Sequence, residues 1–92
     1  MTDTDRPTVP PIPADPRRRA AGRNRSVKLI LAGRAETVFL ASDADSRLRE
    51  QIAQLCAEHN TALCTAYTGR QIGDACGLDV GCAVLTQITD NN

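Results

Sequence analysis

Apolar positions recur along this chain with two different periods. Val27, Ile30 and Leu31 fall at i, i+3 and i+4, which predicts a helix over 25–32. Asn24 is placed to cap its start, and Gly33 is a stop signal at its end. Thr37-Val38-Phe39-Leu40-Ala41 is a continuous run with β-branched and aromatic members, the pattern of a strand buried on both faces. Asp43-Ala44-Asp45-Ser46 breaks that strand, and Asp45 or Ser46 can cap the helix that follows. Leu48, Ile52, Leu55 and Cys56 form its apolar stripe, and Asn60 ends it. Residues 61–67 read as a strand. Thr68 with Gln71 three positions later has capping-box spacing for a short helix that ends at Gly77. A loop from Leu78 to Gly81 leads into a last strand over 82–88, and residues 90–92 are expected to fray.

Helices and strands therefore alternate. Alternation at this spacing predicts an α/β domain, a three-layer α/β/α sandwich around a small, largely parallel mixed sheet of three to four strands. Composition narrows the picture. Phe39 and Tyr67 are the only aromatics, so the core is built from Leu, Ile, Val, Ala and Cys. Pro7, Pro10, Pro11, Pro13 and Pro16 crowd the first sixteen residues, and Arg17-Arg18-Arg19 follow. Residues 1–20 are read as a disordered Pro/Arg-rich tail and 21–90 as the folded domain. About seventy folded residues lie near the lower limit for a self-sufficient core.

Net charge is zero, but it is divided. Residues 1–34 carry eight Arg or Lys against three Asp, net +5; residues 35–92 carry three Arg against eight acids, net −5. The division points to a polyanion bound locally on the N-terminal side. No apolar run has the length of a membrane span, and the N-terminus lacks a signal-peptide core. The expectation is a cytoplasmic protein with reduced cysteines and no membrane partner.

Gly22-Arg23-Asn24-Arg25-Ser26-Val27-Lys28 is the most informative stretch. A helix start carries positive partial charge and free N–H groups. Arg23, Arg25 and Lys28 oppose that dipole, so they suit a bound anion better than helix stability. Taken locally, a solvated basic turn accounts for them as well. Other chemistry is weaker. Cys56, Cys64, Cys76 and Cys82 contain no CxxC pair, and a cluster of Cys56, His59 and Cys64 competes with the ordinary reading of buried thiols. Asp43 and Asp45 after an apolar strand resemble a phosphotransferase start, but no downstream acidic pair supplies magnesium ligands. His59 has no evident nucleophile partner. No enzyme activity, metal or cofactor is expected.

Three segments in order carry a family resemblance. Gly22 to Lys28 looks like G-x-N-E-x-x-K. Phe39-Leu40-Ala41-Ser42-Asp43-Ala44-Asp45 looks like an apolar strand followed by A-x-D-x-D/E. Gln71 to Gly81 resembles L-G-x-A-x-G-hydrophobic-x-V-G. The set resembles the kink-turn-binding ribosomal proteins of the L7Ae/L30e group, most of all the small bacterial YbxF-like and YlxQ-like members, over roughly residues 22 to 89. The resemblance implies a monomeric, non-enzymatic binder of structured RNA, a kink-turn, with ribosomal RNA one candidate. Asn24 and Lys28 would contact tandem sheared G·A pairs. Leu78, Val80 and Gly81 would cover an extruded nucleotide, and Asp45 would lie near the site. Gly22, Arg23 and Arg25 complete the expected interface, with Arg17 to Arg19 adding non-specific affinity.

Three departures stand out. Arg25 occupies the family's Glu position, and a guanidinium cannot accept a guanine amino group. Gly69 replaces a common Lys. Pro16 to Ala21 replaces the apolar first strand, so the sheet is expected to lose that strand or pair it weakly. An assembly or protein-interaction module on the same fold, without specific RNA recognition, is the alternative.

Overall fold

The structure is a computed structural model that describes residues 10–89. A single 3-10 turn, Pro16–Arg18, leads into strand β1 (Arg19–Ala21). Helix α1 (Arg23–Leu31), strand β2 (Ala35–Leu40), helix α2 (Ser46–Glu58), strand β3 (Ala62–Cys64), helix α3 (Gly69–Ala75) and strand β4 (Val84–Ile88) follow. The strand order is β1-β4-β2-β3.

The three layers and the mixed four-stranded sheet agree with the sequence. The parallel content is lower than expected. Only β2 and β3 pair in parallel; β4 is antiparallel to both β1 and β2. Strands β1, β2 and β3 do share a direction, as the helical crossovers require. The last strand inserts between β1 and β2 against that direction, and periodicity carries no information on where a strand inserts.

Alternation across the sheet separates two cores. Val38, Leu40 and Val84 face α1 and α2, where they meet Ile30, Ile52 and Cys56. Phe39, Ala41 and Leu85 face the other way, onto Ile72 of α3, Cys64 and Cys82. With seven residues, α3 covers little of that second face. Ile12 completes it, and Tyr67 stacks edge-on to Phe39 with ring centroids 5.9 Å apart. Tyr67 also donates its hydroxyl to the Pro10 carbonyl at 3.0 Å.

The expected disordered tail is thus corrected where the structure describes it. Ile12 packs into the α3-side core, Arg19 donates to the Pro13 and Ala14 carbonyls, and residues 19–21 pair with β4, Ala20↔Thr86 at the centre. The first strand forms, although it is three residues long. Proline-rich chain loses little entropy on ordering, so one apolar anchor and a few hydrogen bonds suffice to hold it. Residues 1–9 of the expected tail and 90–92 of the expected frayed end lie outside the described residues.

Each helix closes with the same device. Gly33, Asn60 and Gly77 take positive φ just past α1, α2 and α3. Arg34 N–H reaches Leu29 O, Thr61 N–H reaches Cys56 O, and Leu78 N–H reaches Gly73 O, at 2.8–2.9 Å, so that the last free carbonyls are satisfied. The expected strand over 61–67 shortens to 62–64, because Tyr67 turns inward to cover Phe39. Leu31, expected in the α1 stripe, is exposed; the small side chain of Ser26 takes the buried position, where α1 packs on the sheet. No helix among the described residues is long and apolar enough to cross a membrane.

Candidate nucleic-acid interface

Strands that share a direction place their C-terminal ends at one edge of the sheet. Backbone hydrogen bonds link that edge in a row. Gly22 N–H donates to Val84 O (2.9 Å), Ala41 N–H to Ala83 O (2.8 Å) and Ser42 N–H to Tyr67 O (2.9 Å). The start of α1, the entry to β4, the exit of β2 and the exit of β3 therefore stand side by side. All three helices point their positive ends toward this edge.

The helix starts differ. Asp45 caps α2 by accepting from Arg47 N–H at 3.1 Å. Thr68 and Gln71 form a reciprocal capping box on α3, at 3.2 and 2.9 Å. Helix α1 has neither device. Its N-cap is Gly22, not the expected Asn24, and no side chain caps it. The φ of 111° at Gly22, which favours glycine, turns the chain directly from β1 into the helix. The helix therefore starts at Arg23, two residues early, and Asn24 becomes its second residue. No acidic residue stands in its first turn. Among the described residues Arg23, Asn24, Arg25 and Lys28 are exposed and make no side-chain hydrogen bond or ion pair.

The loop 78–81 reaches the same edge by running back along α3. Leu78 N–H bonds to Gly73 O and Cys82 N–H to Gly69 O, both at 2.9 Å. Gly69 and Gly73 lie one turn apart on the helix face that the loop touches. A Cβ on Gly73 would collide with the Val80 carbonyl, and one on Gly69 would sit 3.3 Å from Cys82 O. The approach is closest at Gly73, where a side chain has no room, and merely tight at Gly69. Leu78 and Val80 are held outward, 41% and 71% exposed, with Gly81 also at the surface. The paired glycines four residues apart were the available sign of this contact.

Two expected contributors have partners within the protein. The Asp45 carboxylate lies at this edge but is used as a cap. Asp43, not singled out as a binding residue, accepts from Gly69 N–H at 2.9 Å and ties α3 to the β2 exit. Both carboxylates thus have structural partners. The arginine run also has partners within the protein, to different degrees. Arg17 bonds to Asp15, and Arg18 is half-buried with a partner of its own. Arg19 donates to Pro13 O at 2.7 Å, Ala14 O at 3.1 Å and Cys76 O at 3.4 Å. Of the three, Arg19 is the most firmly held by the protein, whereas Arg17 keeps a side chain 90% exposed.

The cysteines pack as small apolar groups. Cys56 and Cys64 belong to cores on opposite faces of the sheet, so Cys56, His59 and Cys64 do not converge on one point. Burial pushes the thiols of Cys56 and Cys82 above their ordinary value, away from the reactive thiolate. Among the described residues no three metal-ligating side chains come together.

Comparisons with known proteins agree with this architecture. A model of the ribosomal protein L7Ae/L30e/S12e/Gadd45 family matches residues 11–92. An RNA-binding protein of Caldanaerobacter subterraneus subsp. tengcongensis is 27% identical over 73 residues, covering 79% of this chain and 89% of that protein. An RNA-binding protein of Bacillus pumilus is 27% identical over 64 residues, 70% of this chain and 78% of that one. Among solved structures, a protein of unknown function from Bacillus halodurans superposes with a TM-score of 0.77 at 21% identity, over 84% of this chain and 77% of the other. The Giardia lamblia 15.5kD RNA binding protein superposes with a TM-score of 0.76 at 23% identity, over 85% and 66%.

Proposed function

The chain belongs to the ribosomal protein L7Ae/L30e/S12e/Gadd45 family, and from that premise we propose that it is a non-enzymatic RNA-binding protein that recognises a kink-turn. The observation that carries this reading is the start of α1. It is the one helix start at the sheet edge, among the described residues, without a side-chain cap, and it presents four exposed side chains with no protein partner there.

In this reading the free N–H groups of the first turn and Arg23 hold phosphate. Asn24 and Lys28, one turn apart on the same ridge, meet the edges of tandem sheared G·A pairs. Leu78 and Val80 pack the nucleotide that leaves the helix, and Gly81 lets the RNA backbone approach. An apolar lip suits RNA because unstacked bases offer an apolar face. The relatives' names support RNA as the partner class, and the structural duties of Asp43 and Asp45 support a non-enzymatic role.

The test compares a kink-turn RNA with one whose G·A pairs are replaced by Watson–Crick pairs. Wild-type protein is expected to bind the first much more tightly. Asn24→Ala should cost about 1–3 kcal/mol of binding if Asn24 touches a base. Equal affinity for both RNAs would sink specific recognition. Binding that ignores RNA shape and vanishes with salt would favour the assembly-module alternative. That alternative draws support from an apolar groove of about 310 Å³ between α2 and β3, with Leu40, Ala53 and Leu63 in its wall.

A further inference from the structure

Arg25 is the residue that the G·A reading leaves without a task, and its position on α1 suggests one. At 3.6 residues per turn, Asn24 and Lys28 form one ridge and Arg25 and Leu29 form the next. The second ridge faces away from α2, toward β1. Between it and the sheet runs a groove of about 320 Å³ lined by Ala20, Arg25, Lys28, Leu29 and Ile88. Its floor is apolar: Ala20 from β1, Leu29 from α1 and Ile88 from the end of β4. Its rim carries two cations with no partner among the described residues.

An apolar floor beneath a paired positive rim matches one chemical group well, a nucleotide laid along the groove. The ribose and base can rest on the floor while phosphates meet the rim. The groove starts where the proposed RNA edge ends, since Lys28 belongs to both. It is also separate from the 78–81 lip, which lies against α3 on the opposite face of the sheet.

We propose that this groove seats an unpaired ribonucleotide flanking the paired element of the bound RNA, with Arg25 and Lys28 on its phosphates and Ala20, Leu29 and Ile88 beneath its ribose and base. The inference rests on the RNA-binding reading above. It assigns Arg25 to the backbone of a flanking strand, where a guanidinium fits, in place of the guanine edge, where it cannot act as acceptor.

Two RNAs test it, the same kink-turn with blunt ends and with short single-stranded extensions on either strand. Wild-type protein should bind the extended RNA roughly three- to tenfold more tightly. Its plot of log Kd against log salt should steepen by about 0.7 for each phosphate held on a single strand. Arg25→Gln should abolish both differences. Leu29→Gln should abolish the preference while leaving affinity for the blunt RNA unchanged, and Ile88→Thr provides an independent second variant of the floor. Equal wild-type affinities and slopes for the two RNAs would overturn the groove while leaving kink-turn binding intact. So would a preference that survives in both floor variants. Failure of wild-type protein to bind either RNA would overturn the RNA-binding reading itself.

Discussion

Two arginine-bearing stretches stand three residues apart, and the structure gives them opposite roles. Arg18 and Arg19 are half-buried with partners in the protein, and Arg17 makes a surface pair with Asp15. Arg19 alone bridges two carbonyls of the N-terminal arm and the end of α3. Arg23, Arg25 and Lys28 are exposed at an uncapped helix start and make no side-chain hydrogen bond or ion pair among the described residues. In composition the two stretches are nearly alike. The difference teaches that positive charge in a sequence marks a polyanion site only where the backbone leaves the charge without an internal acceptor. Half-buried backbone carbonyls can occupy a guanidinium group, as they do at Arg19.

The largest effect that could break this contrast comes from neutralising the outward charges together. A variant with Arg23, Arg25 and Lys28 all changed to Gln should lose most RNA affinity. Its salt dependence should flatten by about 0.7–0.9 for each phosphate the protein no longer neutralises, while its thermal midpoint stays close to wild type. An unchanged salt slope would show that these cations are idle.

Arg19→Ala should do the reverse. Without its three charge-assisted bonds the fold should be less stable by about 2 kcal/mol, read by denaturant unfolding, with the salt slope of RNA binding unaltered. A flattened slope in this variant would erase the distinction between the stretches.

Arg23→Glu separates stability from binding by sign. An acid in the first turn complements the helix dipole, so unfolding should become harder by about 0.3–1 kcal/mol while RNA binding weakens. A variant that loses both would point to a structural duty for Arg23 instead.

The smallest effect concerns acid. The Arg17 backbone N–H, then its side chain, holds the Asp15 carboxyl below its ordinary value. A lowered folded-state pKa contributes stability that is present above the unfolded carboxylate range and lost as pH falls through the lowered value. Asp15→Ala should therefore unfold slightly more easily than wild type at neutral pH and equally in strong acid. A gap that persists in acid would assign the effect to something other than the carboxylate.

The elements themselves are legible in the sequence because their signals are local. The stripe of α2, the Thr68 and Gln71 capping box and the glycine stops each depend on residues within one or two turns, and the structure matches them. The Leu78 to Gly81 loop also falls where the sequence puts it, between its helix and strand. The cap of α1 is not legible, for the opposite reason. Asn24 has the right chemistry for an N-cap, but strand β1 brings the chain to the sheet edge at Gly22, and the helix starts there.

What the sequence determined alone was therefore the alternating α/β layout, the two-faced burial of Val38 to Leu40, and the family signature. Tertiary structure decided which way β4 runs, whether Pro10 to Ala21 joins the fold, and which arginines remain free. Those outcomes depend on partners distant in sequence, such as Cys76 O for Arg19, Thr86 for Ala20 and Val84 O for Gly22. A side chain's chemistry fixes what it can bond to. Only packing fixes whether that partner is another part of the chain or is left for a ligand.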